Sequence, residues 1–268
     1  MMVLAACLGV MIGLVLGLTG AGGGILAVPA LVLGLGFPME TAAPVALIAV
    51  GMAALIGALD GLRRGAVRYK AALLMAGVGS VVSPLGFYLA GLLPQAALLV
   101  LFSAVMILVA VRMLRQSIAQ SGKTPDTTAT KPCMLSASTG KFIWTPRSGA
   151  TLGSIGAVSG LFTGMLGVGG GFIIVPALKH FSNVSMYGIV STSLMVITLI
   201  SAVTVTNALL QGVTLSGLAW VFIGFTIAGM VGGRLLAPLL AANRLQSGFA
   251  IISLCVALLL LARALGAV

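Results

Sequence analysis

GLVLGLTGAGGGILAVPAL, running from Gly13 to Leu31, returns as GLFTGMLGVGGGFIIVPAL from Gly160 to Leu178, with 11 identities in 19 positions at a constant offset of 147. Even in a chain rich in Gly and Leu, chance does not set GxGGGxxxVPAL twice in register. The protein is therefore read as two copies of one unit. The register persists weakly downstream: Asp60 falls on Asn207 and Gly65 on Gly212, each near the end of the following apolar span.

Both copies lie in apolar stretches, 3–35 and 150–180, that are too long for one straight span and too broken for two full ones. Around them, apolar runs of about 20 residues, enough to cross a bilayer, occupy 40–61, 71–92, 95–114, 186–208, 214–236 and 247–265. Of the 268 residues, 60% are hydrophobic, and only 14 Lys and Arg and 3 Asp and Glu carry charge. That is about a quarter of the charged share of a soluble domain, too little to cover a water-exposed surface. The chain reads as an all-α polytopic membrane protein. The stretch Gln116 to Ser148, rich in Ser, Thr and Lys with Pro125, Pro132 and Pro146, is too polar for lipid. It divides the chain into membrane repeat 1 (1–115), a solvated linker (116–148) and membrane repeat 2 (149–268). Each repeat is expected to hold a glycine-broken re-entrant or discontinuous helix pair followed by three transmembrane helices.

A net charge of +11 and a pI near 10.7 could point to nucleic acid. The basic residues, however, sit in short segments between apolar runs, which is the distribution of a positive-inside membrane protein, and no nucleic-acid partner is expected. If each glycine-broken stretch returns to the side it entered from, the second repeat is inverted and 13 of the 14 basic residues lie inside, with Arg263 left outside. If each stretch crosses once, the repeats are parallel and 11 lie inside. The inverted arrangement is preferred, with the linker cytoplasmic. No Lys or Arg precedes residue 63, so the N-terminus lacks the basic region of a cleaved signal peptide and is read as part of the mature fold.

Three acids (Glu40, Asp60, Asp126), one histidine (His180) and three separated cysteines (Cys7, Cys133, Cys255) leave little for acid–base pairs, metal cages or disulfides. An enzyme reading is disfavoured, and no cofactor or metal is expected. The chemistry falls instead on Gly20, Gly22, Gly23 and Gly24 and on Gly167, Gly169, Gly170 and Gly171. Glycine turns sharply, adopts positive φ and lets a ligand approach the backbone. A short helix starting at each cluster offers free N–H groups and a positive dipole end to an anion without a formal charge. The alternative is that the glycines serve close helix packing. Two clusters in register, each followed by VPAL, favour the site.

The doubled GxxGxGGGxxxVPAL pattern, the VSTSL of Val190 to Leu194 and the basic central loop resemble the sulfite exporter TauE/SafE family of membrane permeases. The resemblance covers essentially the whole chain and is poorest in the linker. It implies export of small sulfur oxyanions or organosulfonates, such as sulfite or sulfoacetate, across the plasma (inner) membrane of a bacterium or archaeon. One departure stands out: where the second half has Ser191, Thr192 and Ser193, the first has Pro44, Val45 and Ala46.

Hydroxyls can donate to an oxyanion without trapping it by charge. Successive helical residues lie about 100° apart, so one or two of Ser191, Thr192 and Ser193 are expected to face the pore. Thr19 and Asn207 are further candidates, though each hydroxyl can instead bond back to a carbonyl of the preceding turn. Arg234 either draws the anion toward the entrance or snorkels to the headgroups. Asp60 stands at i,i+3 and i,i+4 spacing from Arg63 and Arg64, an interfacial ion pair. Lys179 and His180 follow the second VPAL, where positive charge suits a helix C-terminus. With no carboxylate in mid-span, an Asp/Glu proton relay is not expected, and the membrane potential is the expected drive. Sodium coupling, import rather than export, an anion channel, and thiol shuttling through Cys7 and Cys255 stay open as alternatives. Oligomeric state is not legible.

Overall fold

Every apolar run of spanning length forms a helix in the computed structural model, which describes residues 1–20, 23–119, 133, 145–210, 215–236 and 242–264. The broken stretch 3–35 resolves into α1 (Met2–Thr19) and a short α2 (Gly23–Pro29) that widens into a π turn over Ala30–Gly34. Its counterpart gives α6 (Pro146–Leu166) and α7 (Gly171–Phe181). The remaining helices are α3 (Met39–Arg63), α4 (Tyr69–Leu92), α5 (Gln95–Ala119), α8 (Met186–Leu210), α9 (Gly217–Leu236) and α10 (Ala242–Ala264). Among the described residues, seven segments are long and apolar enough to cross a membrane: α1, α3, α4, α6, α8, α9 and the first 18 residues of α5. Each glycine-broken stretch thus contains one helix of spanning length and one too short to span.

Helix boundaries carry the offset of 147 through the chain. Met39 and Arg63 bound α3 as Met186 and Leu210 bound α8, and the ends of α1, of the π turn and the start of α5 recur at Leu166, Phe181 and Ala242. Local chemistry explains the two most similar boundaries. α1 ends on Gly20 (φ 73°), whose N–H donates to the Leu16 carbonyl, and α6 ends on Gly167 (φ 72°), whose N–H donates to that of Thr163. Both are left-handed caps that a residue with a Cβ adopts only with strain. α6 begins with a reciprocal capping box between Thr145 and Ser148 and with Pro146 in its first turn.

The main helix pairs join one half to the other: α1 with α9, α4 with α6, α3 with α8 and α5 with α10. Small residues bring these backbones together, as in membrane bundles generally. A Cβ at Gly13 would strike the Thr226 carbonyl, and those at Gly9 and Gly17 would lie 2.7 and 2.6 Å from the carbonyls of Phe222 and Met230. Gly156, Gly160 and Gly164 stand in the same relation to Met75, Gly79 and Ser83 of α4. These contacts ascend together, so α1 runs parallel to α9 and α6 to α4. In contrast, Gly51 meets Ser201 and Gly61 meets Ser191, so α3 and α8 are antiparallel. A buried hydroxyl pair, Ser83 with Thr204, ties α4 to α8. Outside, large apolar side chains such as Val81, Leu108, Leu210 and Trp220 are exposed, as lipid-facing residues are.

Helical structure takes both ends of the polar stretch 116–148, because α5 continues to Ala119 and α6 starts at Pro146. Most of the linker lies outside the described residues. Cys133 is the exception: its N–H donates to the Phe181 carbonyl and its thiol to the Ser148 carbonyl, so one linker residue rests against the end of α7 and the start of α6.

Candidate functional site

The two glycine loops meet inside the molecule. A Cβ on Gly24 would strike the carbonyl oxygen of Val168 and lie 3.3 Å from Val50 Cγ1; one on Gly169 would lie 3.4 Å from the same methyl. The start of α2 and the second loop therefore touch, with Val50 of α3 beside both. Gly20, Gly23, Gly24, Gly167, Gly169, Gly170 and Gly171 are all buried; Gly22 lies outside the described residues. In the second loop Gly169 (φ 76°) and Gly170 (φ 65°) follow Gly167 in the left-handed region. Gly170 caps α7 and its carbonyl accepts from Ile173 and Ile174. The first two N–H groups of α7, those of Gly171 and Phe172, have no acceptor in the preceding turn of the helix and lie in this loop.

What flanks the loops differs. At Gly23 a Cβ would meet Leu16 Cβ at 2.5 Å and the Ile12 carbonyl at 2.7 Å. At Gly170 it would strike the Ser159 hydroxyl and lie 2.8 Å from that of Thr163. The offset of 147 places Ser159 on Ile12 and Thr163 on Leu16, so the equivalent glycine faces side-chain hydroxyls in one half and, in the other, the Leu16 Cβ with the backbone of Ile12 and Leu16. Ser201 of α8, 3.9 Å from the Cβ position of Gly169, falls on Ala54. Thr163 donates to the Ser159 carbonyl at 2.7 Å. The hydroxyls of Ser159 and Ser201 are fully buried and have no hydrogen-bond partner among the described residues. A buried unpaired hydroxyl costs about 1–3 kcal/mol, which a ligand oxygen would offset. Sequence reasoning missed both serines, because isolated Ser in an apolar helix is unremarkable. Comparing the halves position by position would have shown them as polar for apolar exchanges.

The expected hydroxyls fall into three groups. Thr19 donates to the Val15 carbonyl (2.8 Å) and Ser193 to that of Val190 (2.8 Å), so both bond back to their own helix. Thr192 accepts the backbone N–H of Arg68 at 3.0 Å, fastening α8 to the loop before α4. Ser191 is buried against Gly61 of α3 with no hydrogen-bond partner among the described residues. Asn207 is half-buried six residues beyond Ser201, about 9 Å along the helix.

Arg234 sits elsewhere, in a cavity of about 550 Å³ between α1, α3, α8 and α9, lined also by Gly17, Asp60, Arg64, Tyr187 and Val190. It donates to one carboxylate oxygen of Asp60 at 3.0 Å, while Arg64 pairs with the other at 2.9 Å, the i,i+4 contact. The Tyr187 hydroxyl is 3.5 Å from the same carboxylate. Arg234 therefore joins the two halves through Asp60 and is mostly shielded, its side chain 15% exposed. Gly57 makes room here: a Cβ would press on the guanidinium and displace it. Val190, on the cavity wall, packs against Gly20, so the cavity abuts the first glycine loop. On the far side of the fold, Arg263 donates to the Val32 carbonyl in the π turn at 3.2 Å.

Among the described residues no three His, Cys, Asp or Glu side chains gather as a metal site. Cys7 and Cys255 are exposed, Cys133 is buried, and all three are free thiols.

Comparison with known proteins adds the following. The sequence pattern of the family described as Sulfite exporter TauE/SafE matches residues 5–260. Two proteins named "Probable membrane transporter protein", from Xylella fastidiosa strains Temecula1 and 9a5c, are 29% and 30% identical over 254 residues, covering 93% of this chain and 91% of theirs. A similarly named protein of Bacillus subtilis (strain 168) is 26% identical over 193 residues, 70% of each chain. No solved structure matches significantly.

Proposed function

The chain belongs to the sulfite exporter TauE/SafE family and is a multi-pass membrane transporter, and from that premise we propose that it exports small sulfur-containing anions, such as sulfite or an organosulfonate, by alternating access. The observation that carries this reading is the meeting of the two glycine loops in the buried centre, with the N-terminus of an 11-residue helix opening into it. Backbone N–H groups and a helix dipole hold an anion there, as broken helices do in transporters of other folds.

Antiparallel packing of α3 on α8, which are equivalent at the offset of 147, supports inverted repeats, and the positive-inside distribution of basic residues supports a cytoplasmic linker in a prokaryotic inner membrane. On that orientation the Arg234 cavity lies at the cytoplasmic end, next to the basic loop from Arg63 to Lys70. It is the entry vestibule, where Arg64 and Arg234 together outweigh Asp60 and attract an anion. Outward movement of one negative charge across an inside-negative membrane gains roughly 2.3 kcal/mol per 100 mV, so the potential alone drives export.

Reconstituted protein in vesicles loaded with sulfite or methanesulfonate provides the test. Efflux should saturate with substrate and accelerate when the interior is made negative. Flux indifferent to the potential would remove the electrogenic mechanism, and absence of flux for every sulfur anion tried would remove the substrate class.

A further inference from the structure

We propose that the anion seat lies at the second glycine loop only and accepts singly charged oxyanions, hydrogensulfite or a sulfonate head group, while rejecting dianions. This rests on the transport reading above and adds a charge rule to it. The seat combines the N-terminus of α7 with the buried, unpartnered hydroxyls of Ser159 and Ser201. Gly169 is where the lining converges: the nearest atoms to its Cβ position, from Ile197, Val50 and Ser201, stand at 3.1, 3.4 and 3.9 Å. The first loop lacks both hydroxyls and the longer helix. Its serine positions are Ile12 and Ala54, and its α-helical segment is only 7 residues long.

The charge rule follows from what lines the seat. The atoms nearest the Cβ positions of Gly169 and Gly170 belong to Ser159, Thr163, Val50, Ile197 and Ser201, none of which ionises. Neutral donors compensate an anion in proportion to its charge, whereas the cost of taking it out of water grows as the square of the charge. Doubling the charge therefore quadruples the cost and only doubles the compensation. A monoanion with several oxygens, sharing one charge among two hydroxyls and the helix N–H groups, is the species this lining suits.

The experiment is equilibrium binding to the full-length protein in lipid nanodiscs across a pH series that converts sulfite to hydrogensulfite, with methanesulfonate as a constant monoanion and sulfate as a constant dianion. Apparent affinity for total sulfite should rise about tenfold per pH unit of acidification while the dianion predominates, because only the competent fraction binds. Methanesulfonate affinity should stay flat and sulfate should not compete. Sulfate competing as well as methanesulfonate, or sulfite affinity independent of pH, would overturn the charge rule while leaving a transporter of sulfur anions in place. Failure of every sulfur anion to bind would instead strike the transport reading itself. Ser159→Ala and Ser201→Ala should each weaken methanesulfonate binding roughly tenfold or more, and Ala54→Ser, the equivalent position in the other half, should not change it. Equal affinity in wild type and both alanine variants would remove the hydroxyls from the seat.

Discussion

The loop after α1 and the loop after α6 share a helix-ending glycine at φ 73° and 72°, a following short helix and a VPAL sequence, yet Gly23 of the first packs on Ile12 and Leu16 and Gly170 of the second on Ser159 and Thr163. The helix-ending glycine is shared, but Gly170 is left-handed where its counterpart Gly23 lies in right-handed helix, and the flanking side chains differ. In the first half the contact at Gly23 is the Leu16 Cβ and helix backbone, which is packing. In the second the contact at Gly170 is polar, and the hydroxyls of Ser159 there and of Ser201 beside Gly169 have no hydrogen-bond partner among the described residues. The shape of the centre thus comes from both halves, and its polarity from one.

The sharpest way to break this contrast is to load both loops with side chains. Gly170→Val forces a branched residue into positive φ and onto the Ser159 hydroxyl; it should abolish flux while the protein still inserts. Gly23→Ala, in right-handed helix against Leu16 and the Ile12 carbonyl, should lower thermal stability yet leave the affinity for methanesulfonate within a few-fold of wild type. Equal losses of affinity in the two would erase the distinction between the loops. Next in size is the link across the halves: Arg234→Gln leaves Asp60 with Arg64 alone and should slow uptake of anion into the vestibule several-fold, with a weaker dependence on ionic strength. Arg64→Gln, whose side chain is 66% exposed, should leave the thermal unfolding midpoint close to that of wild type, because solvent screens the exposed pair. Smaller still are Thr19→Val and Ser193→Ala, whose hydroxyls bond to their own helices; transport rates within about twofold of wild type are expected, and a collapse in either would mean that the back-bonded hydroxyl turns into the pathway. Smallest is a difference between thiols. Burial pushes the Cys133 thiol above its ordinary range, so less of it is thiolate at neutral pH, and a polar maleimide should label it slowly, faster as pH rises.

Much of the architecture was legible from hydrophobic run lengths and the offset of 147, because in a bilayer a span declares itself by length and composition alone. The glycine caps were legible for a similar reason: a run such as Gly169 to Gly171 inside an apolar segment has few uses other than an unusual backbone. The Asp60–Arg64 pair could be read from its spacing. Its extension to Arg234, 174 residues away, could not, since no local period links α3 to α9. Ser159 and Ser201 escaped for a different reason. A membrane helix tolerates single serines anywhere, and only their meeting at Gly169 and Gly170, across α6, α7 and α8, separates them from Thr19 or Ser193.

Packing of α1 against α9 also fixes an order of events during synthesis. The glycine face of Gly9, Gly13 and Gly17 enters the bilayer first, but its partner around Phe222 to Arg234 is made some 200 residues later. Until then α1 waits among lipids with a flat, partnerless side, and α4 waits likewise for α6. A nascent chain halted in the linker holds neither pair, only lighter contacts such as those of α2 with α1 and α3. Closure of the bundle depends on its last helices, and damage to α9 should be felt first at the opposite end of the polypeptide.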